Sequence, residues 1–197
     1  RQMCIRDREQ TIHVLYSYEE LLQKTYSLIR EPQIKHVSQL IGEHTRIFLY
    51  GFGSSGLAAQ EFQLRLLRLG MDAEAITELH QMVLNEARIT NACLVIGISL
   101  SGATRELIDA LDRAKARGAA VIYLTSSNAE REKRTYEEIV LAPVKKNLEY
   151  GNVISPQFPI LLILDLIYAQ LLKEDRRSTD AQYDTHIWER IKDYHVG

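Results

Sequence analysis

Residues 46–56 read RIFLYGFGSSG, an apolar run followed by a turn of glycine and serine. Residues 92–104 read ACLVIGISLSGAT and repeat this arrangement. Each apolar run predicts a buried parallel strand, and the periodicity after each turn predicts a helix. A strand that turns through glycine and serine into a helix presents free N–H groups at the positive end of the helix dipole. Two such turns in one chain predict a phosphate site.

The rest of the chain alternates strands with helices. The first two helices are expected over about 18–30 and from Pro32 to Ile41, with Gly42 as a C-cap. Further strands are predicted at 72–76, 119–124 and 138–141, and further helices at 55–69, 80–88, 103–117, 130–135 and 155–173. This alternation predicts the α/β class, with a doubly wound, five-stranded parallel sheet. The expected form is a flavodoxin-like, three-layer αβα sandwich with flanking N-terminal helices and a long C-terminal helix.

The last predicted helix is apolar almost all round from Phe158 to Leu172. Such a helix must be buried on more than one side. One side is expected to meet the sheet and the other a second subunit. The sequence therefore predicts a homodimer or a higher homo-oligomer.

Composition narrows the class of protein. The chain has 197 residues, of which 46% are hydrophobic and 25% charged, as is typical of a soluble globular domain. Its net charge of −2 argues against a large nucleic-acid footprint. The longest apolar run, 160–172, contains Asp165 and is too short for a membrane span. Cys4 and Cys93 form no disulfide framework or metal pattern, so we expect a cytoplasmic protein without metal or cofactor.

The first turn also matches the dinucleotide fingerprint G-x-G-x-x-G over residues 51–56. Glu78 follows at a distance that suits a ribose contact. However, Ser54 and Ser55 place hydroxyls where a dinucleotide fold uses bare backbone, and the second serine turn has no role in that scheme. We therefore favour a phosphate site over a dinucleotide site.

A single serine at a helix start is usually an N-cap that stabilises the helix by about 1 kcal/mol. Five hydroxyls at two parallel-strand ends weaken that interpretation. A third polar turn, TSSN at residues 125–128, follows the fourth predicted strand. It could meet sugar hydroxyls or merely cap the next helix, and the residues leave both interpretations open.

Four segments resemble the sugar isomerase (SIS) domain family: GSSGLA at 53–58, RLLRLG at 65–70, IGISLSGAT at 96–104 and AKARGA at 114–119. The resemblance covers about residues 30–172. It implies that the phosphate of a phosphosugar is bound by Ser54, Ser55, Ser99, Ser101, Gly102 and Thr104. Gly53, Ser126 and His80 are the candidate residues for the rim of that site.

Within that family the chain is most similar to the C-terminal effector domain of RpiR-type transcriptional regulators. The resemblance implies phosphosugar sensing, with DNA bound only through a helix-turn-helix domain missing from this chain. We expect a linker or a remnant of that domain at 1–17, the SIS domain at 18–175 and a tail at 176–197. Two departures from the family pattern are Leu100, within the serine turn, and the absence of a Ser-Pro-Leu-type turn at 128–135.

The competing class is an aldose–ketose isomerase of sugar phosphates. Its chemistry needs a general base, usually a carboxylate, often with a histidine. Glu78, His80 and Glu86 follow the second predicted strand, and Glu149 precedes the last helix. Related small isomerases tend to have a glutamate near the start of that helix, where this chain has Gln157 and no carboxylate. We therefore expect a binding domain without catalytic residues.

Overall fold

The computed structural model describes residues 2–126, 135–144 and 154–178, with side chains at 11–126, 135–144 and 154–174. One sheet contains five parallel strands in the order β2-β1-β3-β4-β5. The strands are β1 Arg46–Gly51, β2 Ala73–Ile76, β3 Cys93–Ser99, β4 Ala120–Thr125 and β5 Glu138–Leu141. The predicted sheet is confirmed. Its order reverses between β1 and β3, the place where doubly wound sheets bind ligands.

Helices cover both faces of the sheet. They are α1 Gln2–Leu28, α2 Glu31–Glu43, α3 Gly53–Arg68, α4 Leu79–Asn85, α5 Arg105–Ala116 and α6 Phe158–Ser178. Helices α2, α3 and α6 pack on one face, and α4 and α5 pack on the other. The helix predicted at 130–135 lies outside the described residues. No helix in the described part of the chain has the length and hydropathy to cross a membrane.

The three layers follow from the alternation of side chains along each strand. In β1, Ile47 and Leu49 point into the core under α2, α3 and α6, whereas Phe48 and Tyr50 point into the core under α4 and α5. All four are at most 1% exposed. Because strands buried on both faces must be apolar throughout, they appear in the sequence as continuous apolar runs.

Glycine ends the helix that follows the first serine turn. Gly70 adopts a φ of +74°, its N–H donates to the Leu67 carbonyl at 3.0 Å, and the Met71 N–H donates to the Leu66 carbonyl at 3.1 Å. This pair of bonds is a Schellman motif, which needs a left-handed residue. The predicted stop at Gly70 is confirmed, and Gly118 ends α5 in the same way.

Two helix boundaries differ from the sequence prediction. The first helix begins at Gln2 instead of near Tyr18, because no glycine or proline interrupts the chain before Pro32. Gly42 is not the C-cap of α2 but lies inside it. The helix continues to Glu43, and the ring Nδ1–H of His44 donates to the Leu40 carbonyl at 2.7 Å.

Helices of the same chain cover part of the side of α6 that faces away from the sheet. Tyr18 of α1 packs edge-on against Phe158, with ring centroids 4.8 Å apart. The Ser38 hydroxyl of α2 donates to the Ile167 carbonyl at 3.3 Å. Leu166 is 36% exposed. Helices α1 and α2 thus cover part of the place expected for a second subunit, and contact of α6 with a second subunit stays a prediction.

Candidate anion-binding site

The turn after β3 brings three hydroxyls together. The Ser99 Oγ lies 3.3 Å from the Ser101 Oγ and 3.2 Å from the Thr104 Oγ1, and the latter two atoms are 3.4 Å apart. Gly102 permits this tight reversal with a φ of +62°, which other residues rarely adopt. Ser99 is 4% exposed, whereas Ser101 is exposed. The result is a triangle of hydroxyls with one vertex at the surface.

The turn after β1 is compact because two glycines approach each other. A Cβ on Gly56 would lie 2.9 Å from the Gly51 carbonyl oxygen, closer than any side chain tolerates. Gly53 adopts a φ of +53° and begins α3. Ser54, which is exposed, and Ser55, which is 8% exposed, follow in the first turn. The N–H groups of Gly53 and Ser54 come before the first residue of α3 that can donate back to the N-cap carbonyl of Phe52.

The serines do not act as N-caps. The N-cap positions of α3 and α5 are Phe52 and Thr104, and among the described residues no side chain accepts a cap hydrogen bond at either. The interpretation of these serines as simple helix caps therefore fails. Some N–H groups at these starts are used locally: those of Ser55 and Gly56 donate to the Phe52 carbonyl at 3.0 and 3.3 Å, and that of Gly102 donates to the Ser99 carbonyl at 3.2 Å.

The two turns leave neighbouring strands. Gly51, the last residue of β1, pairs in register with Ile98, which precedes Ser99. Adjacent strands lie about 4.8 Å apart, so the hydroxyl triangle sits beside the first turn of α3. Uncharged hydroxyl and N–H donors at two positive helix ends can bind an anion without a cationic side chain.

Two of the predicted rim residues follow strand ends at the carboxyl edge of the sheet. The Ser126 hydroxyl donates to the carbonyl of Leu100, so it joins the end of β4 to the serine turn. His80 is exposed in the first turn of α4, after the edge strand β2. Beyond Ser126 lies a cavity of about 570 Å³ that Lys24 and Arg30 also line, and neither serine turn borders it among the described residues.

The carboxylates considered for catalysis are dispersed. Glu86 forms an ion pair with Arg113, which lies about two turns along α5 from the serine turn. Glu78 is exposed at the N-cap of α4, and Glu149 lies outside the described residues. The structure therefore brings none of these described carboxylates into the hydroxyl triangle.

Two residues at this edge were missed by sequence reasoning. The Gln157 side-chain amide donates from Nε2 to the Ser54 carbonyl at 2.7 Å, although the two residues are 103 positions apart. No local pattern signals such a contact. Arg105 is the exposed first residue of α5. A cation there opposes the usual charge preference of helix starts, and this signal could have identified it.

Tyr50 is a buried residue of β1 that lies next to the first serine turn. Burial raises the pKa of its hydroxyl, and a hydrogen bond from Asn85 Nδ2 at 2.8 Å partly opposes that rise. The phenol therefore stays neutral at physiological pH. Because Asn85 ends α4, this bond attaches α4 to β1 beneath the first serine turn.

These features define a doubly wound α/β domain with two hydroxyl-rich helix starts at its switch point. The family model of the SIS domain matches residues 39–158, and the chain belongs to that family. The resemblance seen in the sequence is confirmed.

Curated relatives include two uncharacterized HTH-type transcriptional regulators. The one from Haemophilus influenzae is 30% identical over 153 residues, which cover 78% of this chain and 53% of the relative. The one from Clostridium perfringens is 30% identical over 163 residues, which cover 82% of this chain and 58% of the relative. The chain thus spans about half the length of these regulators and is homologous to that part of them.

Solved structures share the fold. NanR of Vibrio vulnificus, solved with ManNAc-6P, has a TM-score of 0.81 at 22% identity, over 93% of this chain and 69% of that one. The sugar isomerase domain of an RpiR transcription factor from Sphaerobacter thermophilus has a TM-score of 0.79 at 18% identity. The match covers 92% of this chain and 97% of that one. Phosphoheptose isomerase from Neisseria gonorrhoeae has a TM-score of 0.68 at 17% identity. The match covers 83% of this chain and 98% of that one. Regulators and isomerases therefore use the same architecture.

Proposed function

We propose that this chain is the phosphosugar-sensing effector domain of a bacterial RpiR-type transcriptional regulator. The observation that carries the proposal is the triangle of Ser99, Ser101 and Thr104 hydroxyls, 3.2–3.4 Å apart, beside the first turn of α3. A phosphate dianion takes donors from several directions, and each bond to a charged oxygen is stronger than one between neutral groups.

In this proposal the sugar phosphate spans both turns. Its phosphate accepts hydrogen bonds from the Ser99, Ser101 and Thr104 hydroxyls, which Gly102 holds together in one turn, and from Ser54 and Ser55 at the start of α3. Its sugar meets Gly53, Ser126 and His80. Arg105 adds a positive charge near the phosphate.

The regulatory part of the proposal rests on the relatives. They are named as HTH-type transcriptional regulators, and this chain matches about half of each. A phosphosugar would change DNA binding only if it favours one of two arrangements of the DNA-binding domains. The limits at 18 and 175 remain predictions, and α1 and α6 run across them without a break.

Thermal unfolding against a panel of phosphosugars tests the proposal. Hexose and amino-sugar phosphates belong in it, each beside its unphosphorylated sugar and free phosphate. A ligand at about 100 times its Kd adds about 2.7 kcal/mol of stability, which raises the Tm by a few degrees. We expect a rise with one phosphosugar and none with its sugar. No rise across the panel at millimolar concentration would refute the sensor function.

The second candidate is a sugar-phosphate isomerase, because phosphoheptose isomerase shares the fold. Against it, Gln157 offers an amide at the start of α6, and Glu86 is paired with Arg113 away from the triangle. An amide cannot serve as a general base. Proton NMR of the chain with each phosphosugar decides the matter, since an isomerase converts its substrate and a sensor leaves it unchanged.

A further inference from the structure

The cavity beyond Ser126 has the size and the lining of a small-molecule site. Its volume is about 570 Å³, which lies within the range of pockets that hold small ligands. Three parts of the fold line it: the end of α1, the start of α2 and the carboxyl ends of β4 and β5. Because neither serine turn borders it among the described residues, the phosphate site alone does not account for this cavity.

The cavity continues the row of strand ends in which the hydroxyl triangle lies. Ser99 pairs in register with Thr125 of β4, and Thr125 pairs with Leu141 of β5. Two strand spacings, about 10 Å, therefore separate Ser99 from Leu141, which lines the cavity. Ser126 also lines it, and its hydroxyl donates to the Leu100 carbonyl in the serine turn. An extended six-carbon sugar phosphate is long enough to reach from the triangle into the cavity.

Among the described side chains, the charged groups that line the cavity leave one positive charge without a partner. Lys24 and Arg30 both line it. The Lys24 Nζ lies 2.6 Å from Glu20 Oε1, so this pair is neutral. Arg30 is exposed and forms no ion pair with any side chain that the structure describes. One positive charge suits a ligand group that carries one negative charge.

Neither of the nearby carboxylates on α2 and β5 cancels that charge. Glu31 lines a different groove, which lies between α2 and α6. Glu138 accepts a hydrogen bond from Gln33 Nε2 at 2.6 Å and lies 2.7 Å from His36 Nδ1. Arg30 is the N-cap residue of α2, where a cation opposes the helix dipole. Helix stability therefore does not explain this arginine, whereas a bound anion would offset its cost.

The remaining lining favours a carbon chain that ends in a carboxylate. Apolar side chains come from β5 and the segment after it: Ile139, Leu141, Ala142, Pro143 and Val144. Such a surface suits carbon atoms. The planar guanidinium of an arginine matches the two oxygens of a carboxylate, which carries the single negative charge that the cavity requires.

We propose that the ligand is a phosphosugar with a carboxylate at the end away from its phosphate. The phosphate binds the hydroxyl triangle, the carbon chain passes Ser126, and the carboxylate binds Arg30 in the cavity. This inference rests on the proposed phosphosugar-sensing function and names the chemical class of its ligand.

Calorimetric titration of the 197-residue chain tests that class. The probes are the 6-phosphates of gluconate and mannonate, each beside the 6-phosphate of its polyol, glucitol or mannitol. Within a pair, only the carboxylate and the hydroxymethyl group differ. We expect at least one acid to bind roughly tenfold tighter than its polyol, because its bond to Arg30 is charge-assisted. Polyol phosphates that bind as tightly as both acids would overturn the proposal.

A charge-removing variant tests the place of the carboxylate. Arg30→Gln should abolish the preference by weakening only the acid, since the polyol makes no ion pair there. Lys35→Gln is the matched control, because Lys35 is an exposed cation of the same helix and lines the other groove. It should keep the preference. An acid whose affinity survives Arg30→Gln, or falls equally in both variants, would contradict this placement. Unchanged Tm values of the ligand-free variants would confirm that they fold.

Two further outcomes separate this inference from the sensor function. Gluconate without phosphate should bind far more weakly than its 6-phosphate, and equal affinity would overturn the single ligand that spans triangle and cavity. If neither acid binds but another phosphosugar does, the inference fails and the sensor function stands. If no phosphosugar binds, both fail.

Discussion

The two edges of the sheet use opposite kinds of polar group. At the amino edge, charged side chains pair with each other: Arg46 with Asp72 and Glu74, and Arg88 with Glu74. At the carboxyl edge, the turns after β1 and β3 offer hydroxyls and helix starts. The charges of the first set are paired within the chain. The second keeps donors for a group that the chain does not supply.

Titration behaviour at the amino edge follows from this pairing. The hydrogen bond from Arg88 lowers the pKa of Glu74 below its ordinary value. Burial would raise the pKa of Glu137, but hydrogen bonds from Lys115 and the Val121 N–H lower it. These carboxylates stay charged because their partners are local. The amino edge therefore stabilises the fold, whereas the carboxyl edge is the place for a ligand.

The largest expected effect tests the compactness of the carboxyl edge. Gly56→Ala places a Cβ 2.9 Å from both the Gly51 carbonyl oxygen and the Thr77 Cγ2. We expect a loss of up to about 3 kcal/mol in unfolding free energy, together with loss of phosphosugar binding. Urea unfolding measures the first and calorimetry the second.

Gly42→Ala is the control for that change, because a Cβ on Gly42 meets nothing within 4 Å and lies in a helix. It should raise the unfolding free energy by about 0.5–1 kcal/mol. Equal effects of the two variants would show that the close approach of Gly51 and Gly56 is unimportant.

Hydroxyl deletion compares the edges directly. Ser101→Ala removes one charge-assisted hydrogen bond and should weaken phosphosugar binding by about 1–3 kcal/mol. Thr45→Ala removes a hydroxyl from the amino edge, just before β1, and should leave affinity unchanged. Calorimetric titration measures both. Equal losses, or none, would remove the hydroxyl triangle from the site.

Gln157→Ala tests how the start of α6 supports the first turn. The variant loses the 2.7 Å bond to the Ser54 carbonyl. We expect phosphosugar affinity to fall by about 1 kcal/mol, with no change in the pH dependence of binding. Gln157→Glu should weaken binding more, because a carboxylate repels both the carbonyl and the phosphate. Tighter binding by Gln157→Glu would contradict this placement.

The smallest effect belongs to the amino edge. Glu74→Gln should cost about 0.5–1 kcal/mol of stability at pH 7, because the pair with Arg88 is partly exposed. The folded pKa of Glu74 lies below its ordinary value of 4.5, so its contribution is full above pH 4.5 and disappears as the pH falls further. Unfolding at pH 7 and pH 3 measures it. A difference that persists at pH 3, or altered ligand affinity, would contradict the division between edges.

Sequence alone predicted the parts of this molecule that local chemistry decides. The apolar runs marked β1, β3 and β4, and the glycines at 70 and 118 marked two helix ends, because a strand buried on both faces and a left-handed cap leave local signatures. The turns after β1 and β3 were visible for the same reason. The approach of Ser99, Ser101 and Thr104 required only one tight turn.

The sequence prediction failed where contacts between distant segments determine the local structure. Glycine is the residue type typical of a C-cap, yet α2 continues past Gly42 to Glu43, and the His44 ring donates a hydrogen bond to the Leu40 carbonyl. The apolar circumference of α6 indicated burial but not which helices provide it. Gln157 reaches Ser54 only through the packing of α6 beside α3. Contacts of this kind depend on tertiary geometry, which carries no periodic signal along the chain.

A crystal structure of the chain with the phosphosugar chosen by thermal unfolding tests the central claim most directly. We predict phosphate oxygens within about 2.5–3.2 Å of the Ser99, Ser101 and Thr104 hydroxyls, with the first turn of α3 on the other side. A phosphate bound elsewhere, for example in the cavity beside Lys24 and Arg30, would contradict the account.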